Sequence, residues 1–304
     1  MSAAEVCQTV ADSLTALCDG SIDKDEGAPI FHAIPFSDGG EGFLQSYEKS
    51  LDLQRVQVNV LDPLGRPIVA EYGLEPEDHV AVIEMARASG IELVPECERN
   101  PLKTTSYGTG QLIYHALQHS DVNTVVLGIG SSATNDLGLG CLQALGWQFL
   151  AGDKILSAPI TGADLSHITS MQLPEKTATF LSELIASHKT IRIACDVDNV
   201  LLGPNGAAAR YGPQKGASPT DCAALDTAAA HIVSNVMKTA REVVEQPGMG
   251  AAGGIAAGLK LAHIPVALVP GSQLMWETLR CEEVLQSCQL VVSGEGRLDP
   301  TSLQ

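Results

Sequence analysis

Four short stretches place glycine beside a carboxylate at the end of an apolar run. They are SDGGEG (Ser37–Gly42), GIGSSATND (Gly128–Asp136), CDVDN (Cys195–Asn199) and SGEGRLD (Ser293–Asp299). Glycine lets a backbone come close to a ligand and reach positive φ. A carboxylate in such a place can hold Mg²⁺ or accept a proton. One stretch of this kind is an ordinary turn. Four in one chain point to a phosphate-handling site assembled where strands end.

GIGSSATND has an apolar run before it and a helical stretch after it. Ser131, Ser132 and Thr134 set hydroxyls beside the N–H groups that a helix leaves unpaired in its first turn, an arrangement that binds anions. Gly128, Gly130 and Ala133 also fit G-x-G-x-x-A, the dinucleotide fingerprint, with Asp153 as the acid expected about 20 residues on. At this point phosphate and dinucleotide both remain open. Gly248, Gly250 and Gly253 match G-x-G-x-x-G too, but they follow a helical stretch. They are expected to let backbones pack. No G-x-x-x-x-G-K-[ST] occurs, which excludes a P-loop.

Two further stretches carry cations. GPNGAAARYGPQKGA (Gly203–Ala217) holds Arg210 and Lys215 among glycines. A phosphate contact and an exposed loop lysine are the two readings of Lys215. RNPLKTTSYGTG (Arg99–Gly110) sets Arg99 and Lys103 beside four hydroxyl side chains before a helix. It could contact a carboxylate or phosphate, or simply start the helix. His115 and His119 stand at i, i+4 without an H-E-x-x-H, and a solvated helix face is expected.

The elements that must position these residues alternate. Val6, Val10, Leu14 and Leu17 predict a helix over 3–18. Ile30–Pro35 reads as a strand, Arg55–Leu74 as a hairpin around DPLGRP, and Val80–Met85 as a strand. A helix is expected over Tyr107–Gln118 and a buried parallel strand over Asn123–Ile129. Leu139–Leu145 reads as the next helix and Thr190–Cys195 as a strand. Ala223–Val244 reads as one long helix, with strands at Ile264–Val269 and Leu290–Ser293. Strands alternating with helices predict an α/β fold with a largely parallel sheet.

Composition narrows the function classes. The chain has 304 residues, 36 acids against 18 bases and a formal net charge of -18. No basic footprint for nucleic acid is present. No apolar run approaches the roughly 20 residues of a membrane span. The N-terminus lacks a signal-peptide pattern, so a cytoplasmic location is expected. Eight cysteines without a C-x-x-C make neither a disulfide framework nor a zinc ribbon. Cys141 and Cys195 are expected in the core.

Taken in order, SDGGEG, EMARASGIELVP, RNPLKTTSYGTG, GIGSSATNDLGLG, CDVDNVLLGPNGAAARYGPQKGA, GMGAAGGIAAGL and SGEGRLDPTS resemble the type-1 glycerate kinase family along essentially the whole chain. The resemblance implies phosphorylation of D-glycerate by ATP with Mg²⁺, the 2-hydroxyl favoured. Small molecules are the expected partners, and a homo-oligomer is the further option. The resemblance also implies two α/β domains. A flavodoxin-like outer one would comprise about 1–52 plus 266–304, with a second inserted over about 53–265. On that basis Asp196 is the candidate base or Mg²⁺ ligand, and Lys215 offsets charge on phosphate. Asn135, Ser132 and Thr134 orient phosphate or substrate, helped by Gly130, Ser131, Arg99, Lys103 and Arg297. Asp38, Glu41, Glu295 and Asp299 line the cleft, as metal ligands.

The chain also departs from the family pattern. Members begin with a strand and a loop ahead of the first helix and continue past the last acidic loop, so the outer domain is expected to be incomplete here. Ser131 stands where glycine is common, and Leu137 replaces a glycine. Two rival expectations follow: a relative that binds without turnover, and a nucleotide-cofactor oxidoreductase resting on GIGSSA alone.

Overall fold

The computed structural model describes residues 3–19, 30–35, 40, 42–48, 51–77, 79–238 and 241–294. Along the chain run α1 (Ala3–Asp19), α2 (Phe43–Glu48), β1 (Gln54–Leu61), β2 (Pro67–Glu75), β3 (Val80–Glu84), α3 (Ala86–Ser89) and α4 (Tyr107–Leu117). Then come β4 (Thr124–Gly128), α5 (Leu139–Ala144), β5 (Gln148–Ala151), β6 (Lys154–Ile155), β7 (Ser170–Gln172), α6 (Glu175–Ala186) and β8 (Thr190–Ala194). The last are α7 (Ala207–Tyr211), α8 (Pro219–His231), α9 (Arg241–Glu245), α10 (Ile255–Leu261), β9 (Val266–Val269), α11 (Gly271–Thr278) and α12 (Cys281–Gln286).

The main sheet has six strands in the order β1-β2-β3-β4-β8-β9. β1 and β2 form the expected antiparallel hairpin. Asp62 holds its turn: Oδ1 accepts from the N–H groups of Leu64 and Arg66, each at 2.8 Å. From β3 onward the neighbours are parallel. These strands are rich in β-branched residues because both sheet faces are covered. Ala81, Ile83, Val125, Leu127, Ile191 and Ile193 face a core shared with α4, α5 and α10. Val82, Val126 and Ala194 alternate to the other face, under Phe43, Leu44 and Tyr47 of α2 and Leu274 and Met275 of α11. Each buried Val, Leu, Ile, Phe or Met among them gains roughly 1.5–3 kcal/mol by burial.

The α/β fold is as expected, and several particulars differ. The helix over 3–18 forms, yet Val6, Val10 and Leu17 on it are exposed. The strands expected at Ile30–Pro35 and Leu290–Ser293 do not form; Ile30, Leu290, Val291 and Val292 are exposed. An apolar run becomes a strand only where a neighbour pairs its backbone. The long helix expected over Ala223–Val244 is interrupted. α8 ends at His231, a π-helical turn follows over Ile232–Val236, and α9 begins at Arg241. A separate three-stranded sheet, β6-β5-β7, went unread because its strands are two to four residues long. The expected boundary at 265/266 falls between β8 and β9, which are hydrogen-bonded neighbours of one sheet.

Candidate active site

Parallel register lines up the carboxyl ends of four strands. Glu84, Gly128, Ala194 and Val269 are successive Cα partners across β3, β4, β8 and β9. In open α/β sheets ligands bind beyond this edge. The loops that leave it are bound to one another. Ile91 N–H donates to Ser131 O at 2.8 Å, and Ala133 N–H donates to Ser89 O at 2.9 Å, so the segment after β3 is stitched to the segment after β4. Thr104 Oγ1 donates to Ala133 O at 2.9 Å from the other side. Asp196 Oδ1, after β8, accepts from Gly271 N–H at the start of α11, at 2.9 Å.

Within the β4–α5 loop, Ser131 is exposed, while Ser132, Thr134, Asn135 and Asp136 are buried. Ser131 has φ 53° and Leu137 φ 56°. Both therefore adopt the left-handed conformation that glycine takes most easily. This is why glycine suits these two positions. Thr134 Oγ1 and Asn135 Oδ1 are buried and find no hydrogen-bond partner among the described residues. Asn135 also lines a small cavity of about 10 Å³ together with Asp226 and Leu225. That is about the room one water needs.

Lys215 reaches this loop from below. It is 2% exposed. Its Nζ donates to Thr134 O at 2.7 Å and lies 2.9 Å from Ser132 Oγ. The exposed-loop reading of Lys215 is thus wrong. Burial lowers its pKa to about 7, against the upward pull of Asp136. The turn that carries it packs on Arg99: a Cβ at Gly216, where φ is +91°, would stand 2.1 Å from Arg99 O. Only glycine fits there.

Asp136 overturns one expectation. The N–H groups at the start of α5 were expected to meet a ligand anion. The anion they meet is the protein's own. Asp136 accepts from Gly138 N–H at 3.2 Å and Gly140 N–H at 3.3 Å. It also accepts from Ser106 N–H and Ser106 Oγ, each at 2.7 Å, at the start of α4. One buried carboxylate thus joins two helix N-termini. Burial pushes its pKa up, and these four donors pull it back.

The dinucleotide reading fails on geometry. The fingerprint needs a helix to open at its third small residue, Ala133, but α5 begins at Leu139. Asp153 lies in the turn between β5 and β6, in the other sheet. The loop of Gly248–Gly253 does pack backbones, as expected. Gly250 N–H donates to Asn199 O at 2.8 Å, and Gly253 O accepts from Leu137 N–H at 3.0 Å.

The other expected residues are dispersed. Arg99 turns its guanidinium to Val94 O at 3.4 Å and to Glu92 at 3.8 Å. Lys103 is exposed, as is Asp196, and Gly130 is half-buried at the head of the loop. Asp38, Glu41, Glu295, Arg297 and Asp299 lie outside the described residues. His115 is not on a solvated face: its Nδ1 lies 3.0 Å from Tyr72 Oη. Cys141 is buried and Cys195 half-buried.

Two acids hold structural positions that residue type did not reveal. Asp136 could have been found as the one acid directly before the glycine-rich start of α5, a capping position. Glu84 ends an otherwise apolar strand, VAVIE, and is 1% exposed. It accepts from the N–H groups of Gly42 and Leu44, each at 3.3 Å, and stands 3.6 Å from Arg87 Nε. It thereby fixes the start of α2 to the end of β3. Desolvation pushes its carboxyl up.

A model of the glycerate kinase family matches residues 1–304. The chain belongs to the glycerate kinase family. A glycerate kinase from Halalkalibacterium halodurans is 42% identical over 272 residues, covering 88% of this chain and 69% of that one. A glycerate 2-kinase from Escherichia coli is 38% identical over 274 residues, covering 89% and 69%. The crystal structure of a protein designated glycerate kinase 2 from Salmonella typhimurium LT2 aligns with a TM-score of 0.76 at 40% identity, over 88% of this chain and 70% of that one. No helix among the described residues is long and apolar enough to cross a membrane.

Proposed function

We propose that this glycerate kinase family member transfers the γ-phosphoryl group of ATP to a hydroxyl of D-glycerate, the 2-hydroxyl by preference. The observation that carries the reading is the β4–α5 loop at the carboxyl edge of the parallel sheet. Its Ser132 and Thr134 carbonyl meet a buried lysine, and two buried polar atoms beside them, Thr134 Oγ1 and Asn135 Oδ1, lack partners. Buried polar atoms without partners are rare and suit a water or a ligand.

In this reading Ser131 and Ser132 receive the substrate's polar groups, and Gly130 lets the backbone approach. Asp196 follows β8, the strand next to β4, and in this reading its carboxylate serves the bound substrates. Catalysis rests on positioning and charge compensation, as phosphoryl transfer requires. Among the described residues no three His, Cys, Asp or Glu side chains could hold a metal ion. The carboxylates expected to hold Mg²⁺ with the nucleotide, Asp38, Glu41, Glu295 and Asp299, lie outside the described residues, and no step is routed through the ion. A division of the chain at about 52 and 265, with β9 pairing to β8 across the second boundary, and a cytoplasmic location belong to the same reading.

A coupled assay of ADP release tests it. D-glycerate should stimulate ADP release, and Asp196→Asn should slow turnover at least tenfold. Full rate in Asp196→Asn would remove that residue from the site. A second reading, binding without turnover, draws on the exposed apolar residues of α1 and of 290–292. Binding of D-glycerate by calorimetry with no ADP release would favour it.

A further inference from the structure

We infer that Ser132 and Lys215 act as a pair that takes the proton from the attacking hydroxyl of the substrate. The inference rests on the kinase reading above and assigns its base. Three features of the pair carry it. Nζ lies 2.9 Å from Ser132 Oγ and 2.7 Å from Thr134 O, and these are its hydrogen-bond partners among the described residues. No carboxylate lies within ion-pair distance of Nζ among the described residues. The pair sits in the loop that leaves β4, next to the exposed Ser131.

A neutral lysine has two N–H donors and one lone pair. One donor is used by Thr134 O, and the lone pair can accept from Ser132 O–H. Ser132 Oγ then has lone pairs to receive a proton from outside. The step balances as follows. The substrate oxygen forms its bond to the γ-phosphorus, the bond from that phosphorus to the β–γ bridging oxygen breaks, and ADP leaves. The substrate's proton moves to Ser132 Oγ while the serine's own proton moves to Nζ. After ADP leaves, the ammonium passes its proton back through Ser132 Oγ, and from there to solvent, before the next turnover.

The surroundings suit a lysine that changes charge. Asp136, from the same loop, acts on Nζ through its charge. Arg99, on the segment against Gly216, turns its guanidinium to Glu92. Arg210 of α7 is exposed. Burial brings Lys215 to about 7, where a base works best near neutral pH. Asp196 accepts from Gly271 N–H and becomes a substrate-orienting carboxylate instead of the base.

The test is the pH dependence of kcat/KM for D-glycerate in the full chain, its Ser132→Ala, Lys215→Met and Asp196→Asn variants. The wild-type rate should fall below pH about 7 with a slope of one. Ser132→Ala and Lys215→Met should lose at least about a hundredfold and lose that limb, while Asp196→Asn keeps it. A limb in the carboxylate range that vanishes in Asp196→Asn would overturn the inference. So would an unchanged limb in Ser132→Ala. A second readout does not depend on turnover: ¹⁵Nζ resonances of the full chain followed from pH 5 to 10. Lys215 should titrate near 7, and Lys215→Met should identify its signal. A Lys215 that stays protonated above pH 9 overturns the pair even if the chain is a kinase. A chain without glycerate-dependent ADP release fails the kinase reading instead, whatever Lys215 does.

Discussion

At the residue scale, Asp136 and Lys215 both hold the β4–α5 loop, and each has a measurable signature. Asp136 meets four donors at two helix starts. Asp136→Ala leaves those donors buried without an acceptor. It should cost about 3–5 kcal/mol in urea unfolding. Lys215 titrates from its ordinary 10.5 down to about 7 in the fold. Between these values the unfolded chain binds more protons than the folded one. The stability that Lys215 contributes therefore grows as pH rises from 7 to 10.5 and is lost as pH falls back through 7. Its slope is at most about 1.4 kcal/mol per pH unit. The difference in unfolding free energy between wild type and Lys215→Met should show this slope. Ser131 offers a cleaner backbone test because it is exposed with φ 53°. Ser131→Gly should leave the melting temperature nearly unchanged. Ser131→Val should destabilise by about 1–2 kcal/mol, since a β-branched side chain resists that conformation. Residue type and loop position singled out Ser132, Thr134 and Lys215, and the family resemblance added Asn135. None of these distinguished an exposed lysine from a buried one, because burial of Lys215 depends on Gly216 letting Arg99 close over its turn.

At the element scale, the strands β3, β4 and β8 were legible because both of their faces are largely buried and apolar residues dominate them, with Arg192 the exception in β8. Short edges were not. β5, β6 and β7 have too few residues for a periodic signal, and the runs at 30–35 and 290–293 are apolar without a paired neighbour. The helix over 223–244 differs for another reason: apolar residues continue at helical spacing through the π-helical turn of Ile232–Val236 without marking where the hydrogen-bond pattern changes. The glycine loop and α10 fix how closely the β4–α5 loop approaches its neighbours. A Cβ at Gly258 would lie 1.9 Å from Leu137 O. Gly258→Ala should push α10 away from the loop, cost roughly 1–3 kcal/mol in urea unfolding and slow turnover. If both stay at wild-type values, the close approach of α10 does not shape the site.

At the scale of the whole molecule, the sheet is a platform with two covered faces and one working edge. Helices from the two parts of the chain that flank the central segment, α2 and α11, lie together on one face. The alternation of strands and helices made the α/β class legible. The assembly of the acidic glycine loops was legible only in part, since SDGGEG and SGEGRLD lie largely outside the described residues. The charge of -18 acts on anionic substrates at a distance. Raising salt from about 10 to 150 mM shortens the screening length from about 30 to about 8 Å. kcat/KM for D-glycerate should rise across that range, whereas a fall would mean that local cations dominate the approach. The central claim is phosphoryl transfer to glycerate at the β4–α5 loop. It is tested most directly by ³¹P–¹H correlation spectroscopy of the full chain incubated with ATP, Mg²⁺ and D-glycerate. The account predicts a new phosphomonoester coupled to the proton on carbon 2, formed by the wild type and at least a hundredfold more slowly by Ser132→Ala. A wild-type reaction that yields no phosphomonoester of glycerate would contradict it.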